Sequence, residues 1–282
     1  MFAAASLPFA SEAHAGEPFE VRDLVVPGER AIWQRFTLLV PRHVTGPLPL
    51  LVALHGKGET GDQALGVRAW LDRYGLGSAY ARLVGAPIVA SSRRSRWTAE
   101  RLEVVNAELA ARPFGGLAIA CPYTPNVSKL GRREVALDTY ARWITEEVVP
   151  RARRETPVLE GAAHLGLDGV SLGGYVGLEV FLRHPDQFGA WGSVQGALGA
   201  YRSERYASAL AAAVARVGPR RLHLETSRDD VFRTDNEELS RALMRRGVAH
   251  DFLAPPGGHD QSFLRDVGTI EMLLWHDRAL RP

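Results

Sequence analysis

The chain has 282 residues, 46% hydrophobic and 23% charged, with a formal net charge of +2. That composition excludes a largely disordered chain, and 34 basic against 32 acidic side chains give no ground for nucleic-acid binding. The lone cysteine, Cys121, rules out an internal disulfide and a CxxC metal site, and no run of about 18 apolar residues is present to span a membrane.

Residues 1–10 are apolar and uncharged, and Ala13-His14-Ala15 resembles a small-x-small cleavage site. No basic segment precedes them, and Ser6 and Pro8 interrupt the apolar stretch, which a secretory signal would need intact. Residues 1–17 are therefore expected to be either the remnant of an export signal, in a periplasmic or secreted protein, or a disordered N-terminus in a cytoplasmic one. A single domain is expected over residues 18–282.

Two early strands are expected at 21–26 and 33–40, as an antiparallel start to a sheet. Residues 48–54 (LPLLVAL) form a continuous apolar run, as in a strand buried on both faces. Similar runs follow at 116–121, 165–170, 189–194 and 222–226, with a weaker one at 250–253. Helical spacing fills the gaps: Ala136, Tyr140, Trp143, Ile144 and Val148 share one face of 135–149, and 173–183 is short, apolar and stops before Pro185. Tyr206, Leu210 and Val214, then Leu239, Ala242 and Leu243, then Phe263, Val267, Ile270 and Leu274 mark three more helices. Alternating strands and helices imply an α/β fold with a mostly parallel sheet and helices on both faces. Residues 59–114, with about two helical patterns and the basic cluster Arg93, Arg94 and Arg96, are too long for a simple crossover. They are read as a candidate cap over a binding site, or as surface decoration.

The sharpest chemical signal is Gly169-Val170-Ser171-Leu172-Gly173, between an apolar run and a helical pattern. Strand, G-x-S-x-G, helix is the context of a nucleophile elbow, where a tight turn lifts the serine hydroxyl above the strand ends. A serine needs a base, and His259 is the choice, on the loop Pro255-Pro256-Gly257-Gly258 after the last strand. His184 at a helix end, His223 within a strand and His250 at a strand start are weaker, and His276 on the last helix is expected to be exposed. The orienting carboxylate is sought in Ser227-Arg228-Asp229-Asp230, where Asp230 is preferred and Asp229 is the alternative. Asp235 is read as the N-cap of the next helix.

An oxyanion hole requires preorganised N–H donors. Leu172, after the nucleophile, supplies one; the loop His55-Gly56-Lys57-Gly58 supplies the other, assigned to Lys57 with Gly56 and Gly58 as alternatives. His55 is read as holding that loop. Trp97, Tyr123 and Gln195 are expected to line a substrate pocket, since they fall near the carboxyl ends of strands. Trp191 reads as core or as a further pocket residue, and Cys121 reads as core. No HExxH and no dinucleotide-binding glycine pattern occur, so no metal and no cofactor are expected.

The segments LPLLVALHGKG, DGVSLGGYVGLEVFLRHPDQFGAWGSVQGA, SRDDVF and GGHDQSF resemble the α/β-hydrolase superfamily, within it the esterase D-like and feruloyl or acetyl-xylan esterase-like enzymes. They span about 48–263, apart from 59–114. The resemblance implies a carboxylesterase-type serine hydrolase acting through an acyl-enzyme on a small-molecule or carbohydrate-linked ester, with Ser171 as nucleophile, Asp230 as acid and His259 as base. One departure is that Ser227 opens the acidic loop where the family often has a glycine. The Gly173-Gly174-Tyr175 run also resembles prolyl-oligopeptidase-type peptidases, without their propeller. A peptidase, an acyltransferase and a hydrolase-like binding protein without turnover are the alternatives. Oligomeric state is not readable from the sequence.

Overall fold

The computed structural model describes residues 16–27, 33–92 and 95–281. All eight expected strand segments form strands: β1 (Phe19–Val25), β2 (Arg35–Pro41), β3 (Leu50–Leu54), β4 (Ala118–Pro122), β5 (Leu165–Gly169), β6 (Ala190–Val194), β7 (Arg221–Glu225) and β8 (Asp251–Leu253). They make one sheet in the order β1-β2-β4-β3-β5-β6-β7-β8. β1 and β2 pair antiparallel, as does β2 with β4, and every later pairing is parallel.

Side-chain alternation divides the core in two. Leu50, Val52, Leu54, Leu167, Trp191 and Leu224 face an apolar layer that includes Tyr140, Phe181, Tyr206 and Leu243. Those four lie on helices α4 (Arg133–Trp143), α6 (Leu172–Arg183), α7 (Ser203–Val217) and α8 (Arg233–Arg245). Leu51, Ala53, Ile119, Cys121, Ala190 and Val194 face the opposite layer. Helix α4 continues through a π turn (Ile144–Val148) into α5 (Val149–Glu155), so the helix is longer than expected; the π turn changes the register just ahead of Pro150, which has no N–H to give.

Residues 59–114 carry helices that pack into the core. They form α1 (Gln63–Asp72), α2 (Leu76–Val84) and α3 (Ala99–Ala111), and their large side chains go into the second core layer. Trp70, Tyr80, Val105 and Leu109 are buried there beside Ile270, Leu273 and Leu274 of α10 (Thr269–Leu280), which follows the one-turn α9 (Gln261–Phe263). Arg101 of α3 binds the buried Glu271 of α10 through two bonds of 2.7 and 2.6 Å. The segment therefore covers one face of the sheet. Residues 1–15, on which most of the export-signal reading falls, and Arg93 and Arg94 of the basic cluster lie outside the described residues. No helix among the described residues is long and apolar enough to cross a membrane.

Candidate active site

Ser171 sits between β5 and α6 with φ 57° and ψ −114°, a region that a residue with a Cβ enters only under constraint. The constraints are visible. The Ser171 N–H donates to the Val194 carbonyl at 3.0 Å, and the Ser171 carbonyl accepts from Ala197 N–H at 3.0 Å. The flanking glycines are steric requirements: a Cβ on Gly169 would collide with the Gly173 backbone, and one on Gly173 with the Leu54 carbonyl. A Cβ on Gly174 would strike the Ser193 hydroxyl.

His259 reaches this hydroxyl from the loop after β8. Its Nε2 lies 3.1 Å from Ser171 Oγ, and its Nδ1 lies 2.8 Å from Asp230 Oδ1. A carboxylate only accepts, so Nδ1 carries the hydrogen and Nε2 presents a lone pair to the serine O–H. Asp230 has a fully buried side chain. Its Oδ1 also accepts from Phe232 N–H at 3.0 Å, and Oδ2 accepts from Thr226 Oγ1 at 2.7 Å. Two backbone bonds zip the acidic loop to the histidine loop: Arg228 N–H to the Pro255 carbonyl and Asp229 N–H to the Gly257 carbonyl, both 2.9 Å. They turn the exposed Asp229 side chain away from the choice, because its backbone is committed to the zipper while the next residue faces the imidazole. The Phe232 ring stands edge-on to His259 at 5.1 Å.

The β3 loop lies against the serine, since a Cβ on Gly56 would be 3.7 Å from Ser171 Cβ. Lys57 opens a short 3-10 turn (Lys57–Glu59) and Leu172 opens α6, so neither N–H has an acceptor within its own helix. Gly56 N–H donates to the Tyr74 hydroxyl at 3.2 Å, which removes it from the three candidate donors of that loop. Tyr74 in turn donates to the buried Glu59. His55 holds the loop from beneath: Nε2 accepts from Thr124 N–H at 2.8 Å, and Nδ1 donates to the Gly56 carbonyl at 2.8 Å. Burial pulls its pKa down to about 4, so it is a neutral strut.

Of the three residues expected to line a pocket, Tyr123 and Gln195 are buried and bonded to neighbouring loops, and Trp97 borders a small cleft. Tyr123 is buried and spends its hydroxyl on the Thr60 carbonyl at 2.6 Å, bracing the β3 loop. Gln195 is 1% exposed, and its Nε2 donates to Ser227 Oγ at 2.7 Å and to the Gly258 carbonyl at 2.8 Å. Trp97 donates from Nε1 to the Asp266 carbonyl at 2.9 Å. Its ring borders a cleft of about 140 Å³ with Arg96, Arg228, Pro255 and Pro256, beside the histidine loop. Arg96, from the basic cluster, pairs with Asp260 at 3.1 Å.

Other expectations change as well. His276 is fully buried, with Nε2 2.8 Å from Asp168 Oδ2 on β5, because α10 lies flat on the sheet instead of presenting that face to solvent. A carboxylate inside an apolar strand run needs a buried partner, and that signal at Asp168 was present in the sequence. Asp235 is not an N-cap: it lies inside the first turn of α8 and accepts from Gly199 and Ala200 N–H groups at 2.8 and 3.0 Å. Trp191 and Cys121 are buried core side chains. Thr226 and Ser227, both buried and both bonded within the site, were given no site role; adjacency to the acidic pair is the mark of Thr226. Among the described residues no cluster of three or more His, Cys, Asp or Glu side chains is arranged to hold a metal ion.

No protein-family profile matches the chain. No curated protein matches it either. Solved structures do. A ferulic acid esterase superposes with a TM-score of 0.67 at 16% identity, covering 93% of this chain and 99% of its own. An S-formylglutathione hydrolase from Staphylococcus aureus gives 0.62 at 18% identity, covering 91% of this chain and 96% of its own. A ferulic acid esterase from Anaeromyces mucronatus, solved with ferulic acid, gives 0.58 at 13% identity, covering 95% of this chain and 93% of its own. Likeness at these identities is likeness of architecture, and together with the strand order it shows that the chain has the α/β-hydrolase fold.

Proposed function

We propose that this protein is a serine hydrolase that cleaves carboxylic esters through an acyl-enzyme. The observation that carries the reading is the chain of contacts from Ser171 Oγ to His259 Nε2 at 3.1 Å and from His259 Nδ1 to Asp230 Oδ1 at 2.8 Å, set on a strained elbow. In this reading His259 takes the proton as Ser171 Oγ attacks the ester carbonyl, and Asp230 stabilises the imidazolium. The developing oxyanion accepts hydrogen bonds from the Leu172 and Lys57 N–H groups. His259 then protonates the departing alcohol. A water molecule, deprotonated by the same imidazole, attacks the acyl-enzyme and releases the acid and Ser171. The esterases among the structural neighbours support a small-molecule or carbohydrate-linked ester as substrate.

The test is hydrolysis of p-nitrophenyl esters from acetate to octanoate, with the matching anilides and with Ser171→Ala in parallel. Loss of turnover on the order of 10⁴–10⁶-fold in Ser171→Ala is expected, with labelling of the wild type by an organophosphonate. Full activity in Ser171→Ala would end this reading. Faster cleavage of anilides than of esters would replace esterase with peptidase.

A further inference from the structure

The imidazole of His259 must satisfy two partners on two other loops, yet it hangs on Gly257 and Gly258, residues with wide conformational freedom. Something has to remove that freedom. At the end of β6, Gln195 and the nucleophile Ser171 are the only non-glycine residues with positive φ among the described residues. Gln195 is held at φ 51° by its N–H, which donates to the Glu225 carbonyl at 2.6 Å. In that pose its buried carboxamide spends both Nε2 hydrogens on neighbouring loops, one on Ser227 Oγ at 2.7 Å and one on the Gly258 carbonyl at 2.8 Å. Ser227 Oγ donates to the same carbonyl at 3.4 Å. Gly258 directly precedes His259.

We propose that Gln195 is a positioning residue for His259. With Ser227 it clamps the Gly258 peptide, and so keeps the imidazole between Ser171 and Asp230. The inference rests on the reading of those three residues as a triad. A clamp of this kind acts on the precision of the base, where displacements of about 1 Å cost on the order of 10²-fold in rate.

Gln195→Leu, Gln195→Glu and Ser227→Gly are compared with wild type by kcat and KM on the best p-nitrophenyl ester, by organophosphonate labelling rate and by thermal midpoint. Proton NMR follows the far-downfield Nδ1–H of the His259–Asp230 bond. Gln195→Leu is expected to lower kcat and labelling about 10–100-fold with KM within about twofold, and to broaden the downfield proton. Gln195→Glu, equal in length but without the N–H donors, is expected to lose as much. Ser227→Gly is expected to lose about 3–10-fold. Unchanged kcat in Gln195→Leu, or a loss that follows only a fallen thermal midpoint while the downfield proton stays sharp, overturns the proposal. If Gln195→Leu does not fold, Ser227→Gly decides by the same criteria. A wild type that neither turns over esters nor labels at Ser171 defeats the proposed function; the downfield proton, read without substrate, still decides the clamp.

Discussion

Among the described residues, two histidine–carboxylate pairs have equal length. His259 and Asp230 are 2.8 Å apart, as are His276 and Asp168. They differ in what the second imidazole nitrogen meets. His259, with a side chain 26% exposed, turns Nε2 to the Ser171 hydroxyl at the mouth of a strained turn. His276 is fully enclosed, and its Nδ1 faces the backbone at Gly166, where a Cβ would stand 2.8 Å away. One pair has a serine hydroxyl and access to solvent; the other has a wall. A short His–Asp contact is therefore no sign of a base by itself. The buried pair is also part of a polar patch inside the core, with the Glu271–Arg101 pair, His223 stacked on Trp275 at 4.8 Å and the enclosed Glu225.

The sharpest way to break the comparison is to delete each imidazole. His259→Ala is expected to lower kcat/KM on the order of 10⁴–10⁶-fold with a near-native urea midpoint. His276→Ala is expected to leave kcat/KM within about threefold while costing about 3–5 kcal/mol of stability, because Asp168 loses the only side chain opposing its desolvation. If His276→Ala abolishes turnover in a protein that is still folded, the two pairs are not functionally distinct.

The buried groups set a smaller effect with a defined pH window. Burial lowers the pKa of His55 to about 4 and that of His223 to about 3, from 6.5. Between those values and 6.5 the unfolded chain binds more protons, so stability is full above about pH 6.5 and falls as the pH drops, by about 1.4 kcal/mol per unit for each group. Burial pushes the carboxyl of Glu225 well up, with Glu271 and Asp168 adding to it. Its contribution has the opposite slope: it is full below the ordinary glutamate value of 4.5 and lost as the pH rises toward the raised one. Urea midpoints at pH 4.5, 7 and 8.5 read both. Replacing His223 by Gln should flatten the acid side, and Glu225→Gln should gain stability at pH 8.5 and none at pH 4.5; unchanged slopes contradict these assignments.

Tyr123→Phe should have the smallest effect. Losing the hydroxyl bond to the Thr60 carbonyl should cost about 1 kcal/mol and leave kcat within about twofold. A large rise in KM with unchanged stability would instead return Tyr123 to the substrate pocket, where strand-end position alone had put it.

The inner strands β3–β6 were legible because each is a short apolar run buried on both faces, which leaves little ambiguity; the edge strands β1 and β8 are partly exposed and carry a weaker signal. The elbow was legible because glycine at 169 and 173 answers a clash that any side chain would create. Residues 59–114 were not, because an apolar helix face carries no mark of which surface it covers. Asp230 against Asp229 was open for a related reason: both carboxylates fit the loop, and only the backbone pairing of Arg228 and Asp229 with the histidine loop turns one inward. Gln195 looked like a pocket residue because strand-end position is local, whereas its bonds to Ser227 and Gly258 span 32 and 63 residues of chain.

The sequence by itself determined the elements, their alternation and the elbow, since periodicity and glycine requirements act over a few residues. Tertiary structure alone decided which histidine faces a serine and which faces a wall, which carboxylate turns inward, and which polar side chains become struts. Those outcomes depend on contacts between segments far apart in the chain, where burial makes each unpaired polar group costly enough to select its partner.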